Sequence, residues 1–197
     1  MGKIDKLKKI IRILLLLLVI FIIVYILMIV LPKKKNNVIE LVDETKFGYT
    51  LSKRDTDIYK DTFKLLKEEL AKDTIDYEKY AEYISKLFII DLYTLSNKKF
   101  KDDVGGVQFV KDEIRDNYKL NVSNTLYKYI GVIDNNVEIS KIDLVEIKEI
   151  NYKISNKDYV GYEVNLKWEY KVDNDYDKEG TIILVRDNDK LYIVEKK

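Results

Sequence analysis

The stretch YEVNLKWEYKV, residues 162–172, decides the fold of the second half of the chain. Tyr, Val, Leu, Trp, Tyr and Val occupy its even-numbered positions, and Glu, Asn, Lys, Glu and Lys occupy the odd-numbered ones. A period of two is typical of a strand with one face on a core and the other in water. We therefore predict one long, half-buried strand here.

Shorter patterns on both sides of this strand predict an antiparallel meander. Ile150, Tyr152 and Ile154 alternate before it, and residues 155–158 (SNKD) are typical of a hairpin turn. The earlier alternation of Ile142 and Leu144 slips at Val145, which indicates a β-bulge. Two further strands follow, and we predict them at Thr181–Arg186 and Leu191–Glu195, around the turn Asp187–Lys190. Connections this short favour neighbouring antiparallel strands, so we expect a curled four-stranded sheet.

Three helical patterns precede the sheet. Ser52-Lys53-Arg54-Asp55 has the form of a capping box, and Tyr59, Phe63, Leu66 and Leu70 follow it as one apolar stripe. A second, largely buried helix is expected from Thr74 to about Leu95. A third is expected from Val107 to about Ile130, with a break near Asn121 as the alternative. Gly105-Gly106 lies between them and predicts a turn that needs positive φ. The fold class is therefore α+β, with about three helices packed on the sheet.

Residues 13–31 form an uninterrupted apolar segment at the other end of the chain. These 19 residues carry no charge, and as a helix they would extend about 28 Å, close to the thickness of the hydrocarbon layer. A cleavable signal would have a shorter apolar core and small residues at its exit, whereas this segment ends in Leu31-Pro32-Lys33. The segment therefore predicts a transmembrane helix that is retained.

Basic residues flank the segment on both sides. Five basic residues precede it and four follow it: Lys3, Lys6, Lys8, Lys9 and Arg12 on the N-terminal side, and Lys33, Lys34, Lys35 and Lys46 on the other. The excess on the N-terminal side favours an internal N-terminus. We therefore predict four parts: a cytoplasmic basic tail at 1–12, a transmembrane helix at 13–31, a juxtamembrane linker at 32–52 and an extracytoplasmic α+β domain at 53–197.

Composition excludes several function classes. The chain contains no His and no Cys, which excludes Ser-His-Asp and Cys-His catalysis and the usual zinc sites. It has no glycine-rich phosphate loop, and we predict no cofactor. Residues 36–197 carry 27 basic and 33 acidic side chains, a net charge of −6, which is the wrong sign for a nucleic-acid partner.

Asp91 is the candidate for acid/base chemistry. In KLFIIDLYTL it follows four apolar residues, with Leu87 and Leu95 one turn away on either side. Burial would raise the pKa of such a carboxyl group, as acid/base catalysis in a pocket requires. The alternative is that Asp91 lies at the edge of the apolar stripe and accepts hydrogen bonds from a Tyr or from Arg115.

Two other groups of residues are candidate sites. Asp173, Asp175 and Asp177 place oxygens at alternate positions, as a calcium loop does. The chain has Lys178 where the turn needs Gly and Leu184 where it needs a bidentate Glu, so a solvated turn is the competing interpretation. Tyr162, Trp168 and Tyr170 share one strand face. They would line a pocket or an interface, unless they simply fill the core.

The order of elements resembles a known fold. Three helices followed by a four-stranded meander are similar to the cone-shaped fold of nuclear transport factor two and ketosteroid isomerase. With an N-terminal anchor, the layout resembles the assembly-factor subunits of type IV secretion and Gram-positive conjugation machines. The stretch KKFKDDVGGVQFVKDEIRDNYKLNVSNTLYKYI, residues 98–130, is similar to short anchored proteins of Firmicutes that have no assigned function.

The resemblance and the missing catalytic set together imply a non-catalytic interaction subunit of the cell envelope. Its expected partners are membrane lipid and other envelope proteins, and homo-oligomerisation is left open. The alternative is a small-molecule-binding or acid/base enzyme domain that uses a pocket of the same fold.

Overall fold

The structure is a computed structural model of the 197-residue chain, and it describes residues 2–30, 40–132 and 136–197. Two compact units are present, Met1–Val38 and Ile39–Lys197. Lys33, Lys34 and Lys35, which we predicted to flank a membrane, lie outside the described residues.

The first unit contains one long helix. Helix α1 covers Lys3–Val30. Its large apolar side chains between Ile11 and Tyr25 are all exposed, from 45 % at Val24 to 74 % at Phe21. Lys8, Lys9 and Arg12 are exposed as well. Among the residues that the structure describes, no helix has both the length and the hydropathy that crossing a membrane requires.

The second unit is built on the predicted four-stranded meander. Its strands pair in chain order and antiparallel, and their bounds are β3 Ile139–Ile154, β4 Lys157–Tyr170, β5 Glu179–Asp187 and β6 Lys190–Lys196. The register of β3 against β4 shifts between Leu144 and Glu146, which confirms the predicted bulge. Tyr162, Val164, Leu166 and Trp168 are buried, which confirms the predicted alternation over these residues. The prediction is wrong at the end of the strand, because β4 ends at Tyr170 and Val172 is exposed.

The first helix of this unit starts later than predicted. Strands β1 (Leu41–Glu44) and β2 (Thr50–Ser52) form a hairpin, and helix α2 covers Asp57–Leu70. The Ser52 N–H does donate to Asp55 Oδ2 at 2.6 Å, as in a capping box. Because Ser52 belongs to β2, this bond closes a turn between strand and helix. The α2 stripe is confirmed, since all four of its residues are buried.

The next helix begins at its own cap. Helix α3 covers Tyr77–Tyr93, and Asp76 caps it by accepting from the N–H groups of Glu78 and Lys79. The prediction that it begins at Thr74 is therefore wrong at that end. Helix α3 contacts β3, β4 and β6, and α2 packs against α3.

The predicted third helix is shorter than 107–130. Val107–Phe109 is a single 3-10 turn, and helix α4 covers Asp112–Asn124. Between them the chain is extended, because Val110 bridges to Ile193 and the Lys111 N–H donates to the Ile193 carbonyl at 3.1 Å. Sheet pairing thus interrupts a segment whose apolar pattern is helical.

Part of the predicted linker 32–52 also belongs to the domain. Tyr49, in the β1–β2 hairpin, is fully buried in the core. Its hydroxyl donates to the Leu191 carbonyl at 2.7 Å, and it lies 2.7 Å from the Tyr80 hydroxyl. The Leu191 N–H donates to Tyr80 in turn, at 3.2 Å. This closed set of bonds joins the hairpin to α3 and β6.

Candidate functional site

Asp91, the candidate acid/base residue, lies in the last turn of α3 and is held by two donors. The Lys98 ammonium group donates to its Oδ1, and the Gly106 N–H donates to its Oδ2 at 2.7 Å. The Lys98 side chain is only 2 % exposed. Ion pairing of this kind compensates the desolvation of both groups only when the remaining hydrogen-bonding positions are also used.

Two glycines allow the loop after α3 to reach Asp91. A Cβ at Gly105 would lie 2.0 Å from the Asp91 carbonyl oxygen. Gly106 has φ 75°, which confirms the predicted turn with positive φ. The Tyr127 hydroxyl secures the loop, since it donates to the Leu92 carbonyl at 2.8 Å and accepts from the Gly105 N–H at 3.2 Å.

A second ion pair lies beside the first. Arg54 binds Asp103 through the two terminal nitrogens of its guanidinium group, at 2.5 and 2.6 Å. Burial raises the pKa of Asp103, but the bond and charge of Arg54 outweigh it and hold that pKa below its usual value. Burial, together with the negative charge of Asp91, raises the pKa of Asp55. We define Arg54, Asp55, Asp91, Lys98 and Asp103 as the buried charge network.

The buried charge network has the geometry of a structural element. Asp91 lines none of the larger cavities among the described residues. The Asp91 carboxylate accepts hydrogen bonds, as the alternative to a catalytic role predicted. The donors are Lys98 and Gly106, however, and not the Tyr or Arg115 that we predicted. Arg115 pairs with Asp112 on α4 and donates to the Val110 carbonyl at 3.2 Å. The Tyr127 hydroxyl lies 3.2 Å from the backbone oxygen of Asp91 and does not bond its carboxylate.

The aspartates of the loop between β4 and β5 point to different partners. Asp173 pairs with Lys178 at 2.6 Å. Asp177 accepts from the Tyr93 hydroxyl at 2.6 Å and from Lys196 at 3.1 Å. Nowhere in the described part of the chain do three His, Cys, Asp or Glu side chains gather as metal ligands. Asp173, Asp175 and Asp177 are therefore not brought together as a calcium loop would require.

The three aromatic candidates on β4 pack against the helices. Tyr162 and Trp168 are each 3 % exposed. The Trp168 Nε1–H donates to the Tyr170 hydroxyl at 3.0 Å, and that hydroxyl donates to the Asp177 carbonyl at 2.7 Å. Trp168 also packs on Tyr93, with ring centroids 5.4 Å apart. Tyr162 and Trp168 therefore fill the core, and the partly buried Tyr170 packs against its edge.

Sequence reasoning missed a cavity with a volume of about 760 Å³. It lies between the end of the β3–β4 hairpin and the first turn of α4, and we name it the hairpin cleft. Its lining residues are Lys111, Glu113, Ile114, Tyr152, Lys153, Ile154, Ser155, Asn156, Lys157, Tyr159 and Val194. The register pairs Tyr152 with Tyr159 across the two strands, so both rings lie on one face.

A glycine on β4 allows the hairpin strand to approach β5 closely. A Cβ at Gly161 would lie 2.6 Å from the Leu184 carbonyl oxygen on β5 and 3.4 Å from the side chains of Ile150 and Tyr152. Only a residue without a side chain allows these strands to approach so closely. At the tip, Ser155 takes φ 54°, which turns the chain in two residues.

Cations and tyrosine rings dominate one wall of the hairpin cleft. Lys111 Nζ lies 2.8 Å from Asp187 and 3.4 Å from Glu113. It also lies 5.6 Å from the ring centroid of Tyr159 and 5.2 Å from that of Tyr192. Burial lowers the pKa of Lys111, but its bond to Asp187 and the nearby negative charges outweigh burial and raise that pKa. Lys111 is therefore a fixed, permanent cation at neutral pH.

A second cation covers the same tyrosine. Lys157 Nζ lies 4.4 Å from the centroid of Tyr159 and 3.7 Å from Asp187. No sequence signal brings Lys111 to this place, because the hairpin and the start of α4 are far apart in the chain. The alternate positions of Lys157 and Tyr159 mark only the hairpin side.

Comparisons with family models, with curated proteins and with solved structures found no match to this chain.

Proposed function

We propose that this protein is a single-pass membrane protein whose C-terminal domain binds other proteins of the bacterial cell envelope on the outer side of the membrane. In this proposal it is a non-catalytic assembly subunit, of the kind found in conjugation or secretion complexes. Anchoring would confine the domain to a thin layer and so raise its effective concentration for neighbouring proteins.

The observation that carries the proposal is the exposed apolar surface of α1. The large apolar side chains between Ile11 and Tyr25 cover every side of the helix, and the sequence stays uncharged from Ile13 to Leu31. Each such side chain gains about 1.5–3 kcal/mol when it is fully removed from water. A helix that is apolar all round requires an apolar environment, and lipid supplies one.

Two further observations favour an interaction subunit over an enzyme. The only carboxylate that the sequence singles out for catalysis, Asp91, is occupied by Lys98 and Gly106. Two of the three aromatic side chains expected to line a pocket, Tyr162 and Trp168, are packed in the core, and Tyr170 is partly buried against it. Surface clefts such as the hairpin cleft remain available for partners.

Extraction of bacterial membranes tests the anchor directly. We expect the full chain to stay in the pellet after carbonate washing. Replacing Leu16 and Ile20 by Lys should release it, because each Lys at the centre of a membrane helix costs about 2.5–3.5 kcal/mol of insertion free energy. The matched control is the conservative pair Leu16→Ile and Ile20→Leu, which should stay in the pellet. A wild-type chain that carbonate releases, or one shortened beyond Pro32 by mass spectrometry, would disprove the anchor.

Protease accessibility tests the orientation. With the domain outside the cytoplasm, protease added to intact cells should digest it, and a fusion at the N-terminus should stay protected. The opposite pattern would place the domain inside and would remove extracytoplasmic partners from the proposal.

The alternative function, a small-molecule-binding or enzyme domain, is favoured by one observation, the volume of the hairpin cleft. A cavity of about 760 Å³ lies in the range used for small ligands. Turnover or binding of a small molecule that Tyr159→Ala in the hairpin cleft abolishes, with the fold intact, would favour this alternative over an interaction subunit.

A further inference from the structure

Strand β3 forms one edge of the four-stranded sheet, since within the described residues it pairs with β4 and with no other strand. An edge strand presents backbone N–H and C=O groups that can pair with another chain. The first half of β3 is irregular, because its register against β4 shifts between Ile139 and Lys141 and again between Leu144 and Glu146. Such bulges discourage pairing at an edge. From Glu146 to Ile154 the ladder runs residue for residue, and we name these nine residues the regular edge.

The hairpin turn determines which backbone groups of the regular edge point outward. The turn consists of two residues, so Ile154 and Lys157 face each other at the end of the ladder. In a two-residue hairpin this flanking pair exchanges both backbone hydrogen bonds, and bonded pairs alternate with non-bonded pairs along an antiparallel ladder. Every second residue before Ile154 therefore bonds to β4. The N–H and C=O groups of the residues between them point to the open edge, and these residues are Glu149, Asn151 and Lys153.

The side chains of these three residues lie on one face of the strand and are exposed. The Oε2 atom of Glu149 accepts from the Tyr162 hydroxyl at 3.3 Å. Lys153 faces Asp158 across the ladder with β4. Opposite charges thus lie two residues on either side of Asn151. When two identical strands pair antiparallel about Asn151, each Glu149 stands opposite a Lys153.

We propose that two copies of this chain pair antiparallel along the regular edge, about a two-fold axis at Asn151. The backbone groups that point outward then bond across the interface, and the two four-stranded sheets join edge to edge. On one face Glu149 pairs with Lys153 of the second copy. On the other face Ile150 stands opposite Tyr152. Both kinds of cross-strand pair, oppositely charged and aromatic with β-branched, stabilise an antiparallel ladder. The interface is isologous, and two-fold dimers are the commonest closed assembly.

Other centres of pairing on the regular edge are less favourable. A centre at Lys148, Glu149 or Lys153 places that charge opposite its own copy, and like charges directly opposite each other destabilise a ladder. A centre at either neighbour of Asn151 brings no opposite charges face to face. A centre nearer the bulge carries the ladder into the register shift before Glu146. The register about Asn151 is therefore the one that uses both the charges and the regular backbone.

Disulfide crosslinking of the full chain in bacterial membranes tests the proposal. The chain contains no Cys, so Asn151→Cys introduces the only thiol. Bonded pairs of an antiparallel ladder have Cα atoms about 5.5 Å apart, which is within the usual span of a disulfide. We therefore expect mild oxidation to give a covalent dimer on a non-reducing gel. The matched control is Ser140→Cys, which is exposed on the same strand but outside the regular edge and should stay monomeric.

Charge variants of the Asn151→Cys chain test the register. Glu149→Lys alone sets Lys against Lys, and Lys153→Glu alone sets Glu against Glu. Because two like-charged pairs then replace two opposite ones, each should lower the initial rate of crosslinking by about fivefold or more. The combined variant restores opposite pairs and should recover the rate of the Asn151→Cys chain. The emission of Trp168, the single tryptophan, confirms that each variant is folded.

Three results would overturn the proposal. The first is that Asn151→Cys gives no covalent dimer, and the second is that Ser140→Cys gives one equally fast. The third is that the combined charge variant crosslinks as slowly as the single variants do.

Failure of this inference can be distinguished from failure of the proposed function. The inference goes beyond that function and uses the anchor only because confinement to one membrane raises the effective concentration of the copies. A chain that resists carbonate extraction but does not crosslink remains an anchored subunit without a paired edge. A chain that carbonate releases, and that still crosslinks through Asn151→Cys, loses the anchor and keeps the dimer.

Discussion

Lys98 and Lys111 are both nearly buried lysines in acidic surroundings, but they have different environments. The Lys98 side chain is 2 % exposed and faces Asp91, whose second oxygen is taken by the Gly106 N–H. The Lys111 side chain is 10 % exposed, faces Asp187 and lies at the wall of a large cleft. The difference shows that burial alone does not identify a functional cation. What matters is whether its surroundings leave space for a ligand.

The largest effect expected from this comparison is the loss of Lys98. Lys98→Met would remove an ammonium group from a site that is 2 % exposed and leave Asp91, which is 20 % exposed, without its ion-pair partner. It should lower the free energy of unfolding by about 3 kcal/mol, the lower end of the range for a broken buried pair. Urea unfolding of the full chain in nanodiscs, followed by Trp168 emission, measures this change. Adding Asp91→Leu should restore part of the loss, because it removes the uncompensated charge.

Lys111→Met is the matched control for that measurement. Its partner Asp187 keeps Lys157 at 3.7 Å and is 28 % exposed, so water and a second cation compensate it. The expected loss is about 1 kcal/mol. A Lys111→Met loss as large as that of Lys98→Met would show that the hairpin cleft stabilises the fold as much as the buried charge network does.

The next largest effect is the loss of folding stability at low pH that Asp103 causes. The pKa of Asp103 is below its usual value of 3.8 because Arg54 binds it, so in acid the unfolded state takes up protons at Asp103 before the folded state does. Its contribution to stability is therefore complete above about pH 4 and is lost as pH falls through the lowered pKa. Each unit of lowering corresponds to about 1.4 kcal/mol. Asp103→Asn should remove this part of the acid dependence and lower stability at neutral pH.

Added salt should distinguish the stability contributions of Asp103 and Asp187 at low pH. The pKa of Asp187 is lowered through its bond to Lys111, so its contribution has the same sign as that of Asp103. Because Asp187 is more exposed, high salt should weaken its contribution more than that of Asp103. The raised pKa of Asp55 acts in the opposite direction, so Asp103→Asn and Asp187→Asn must each be compared with wild type. Equal salt sensitivity of the two variants would contradict the difference in burial.

The sequence predicts the parts of the fold whose pattern lies within one strand or helix. The sheet was predictable because alternation along Tyr162–Tyr170 follows directly from one buried face, and the slip at Val145 indicated the bulge. The apolar stripes of α2 and α3 were predictable for the corresponding helical reason. These patterns are local, and each strand or helix carries its own.

The failures come from contacts between distant segments. Ser52 did not cap α2 because β2 pairs with β1, and the third helix was interrupted because Val110 pairs with Ile193. Asp91 was recognised as unusual, but its partner Lys98 follows in a loop whose path depends on Gly105 and Gly106. The sequence around Lys111 contains no sign of the hairpin that faces it, so the hairpin cleft could not be found from the sequence.

The smallest effect is expected at the rim of the hairpin cleft. The Lys157 side chain is 65 % exposed, and its nearest acid, Asp187, has a closer partner in Lys111. Lys157→Gln should therefore leave the urea midpoint where it is in the wild type, as should Lys178→Gln at a comparably exposed ion pair. A clear fall in the midpoint for Lys157→Gln alone would mean that the cation over Tyr159 holds the hairpin in place. The rim lysine would then be a structural residue like Lys98, and the contrast between the two regions would fail at the hairpin cleft.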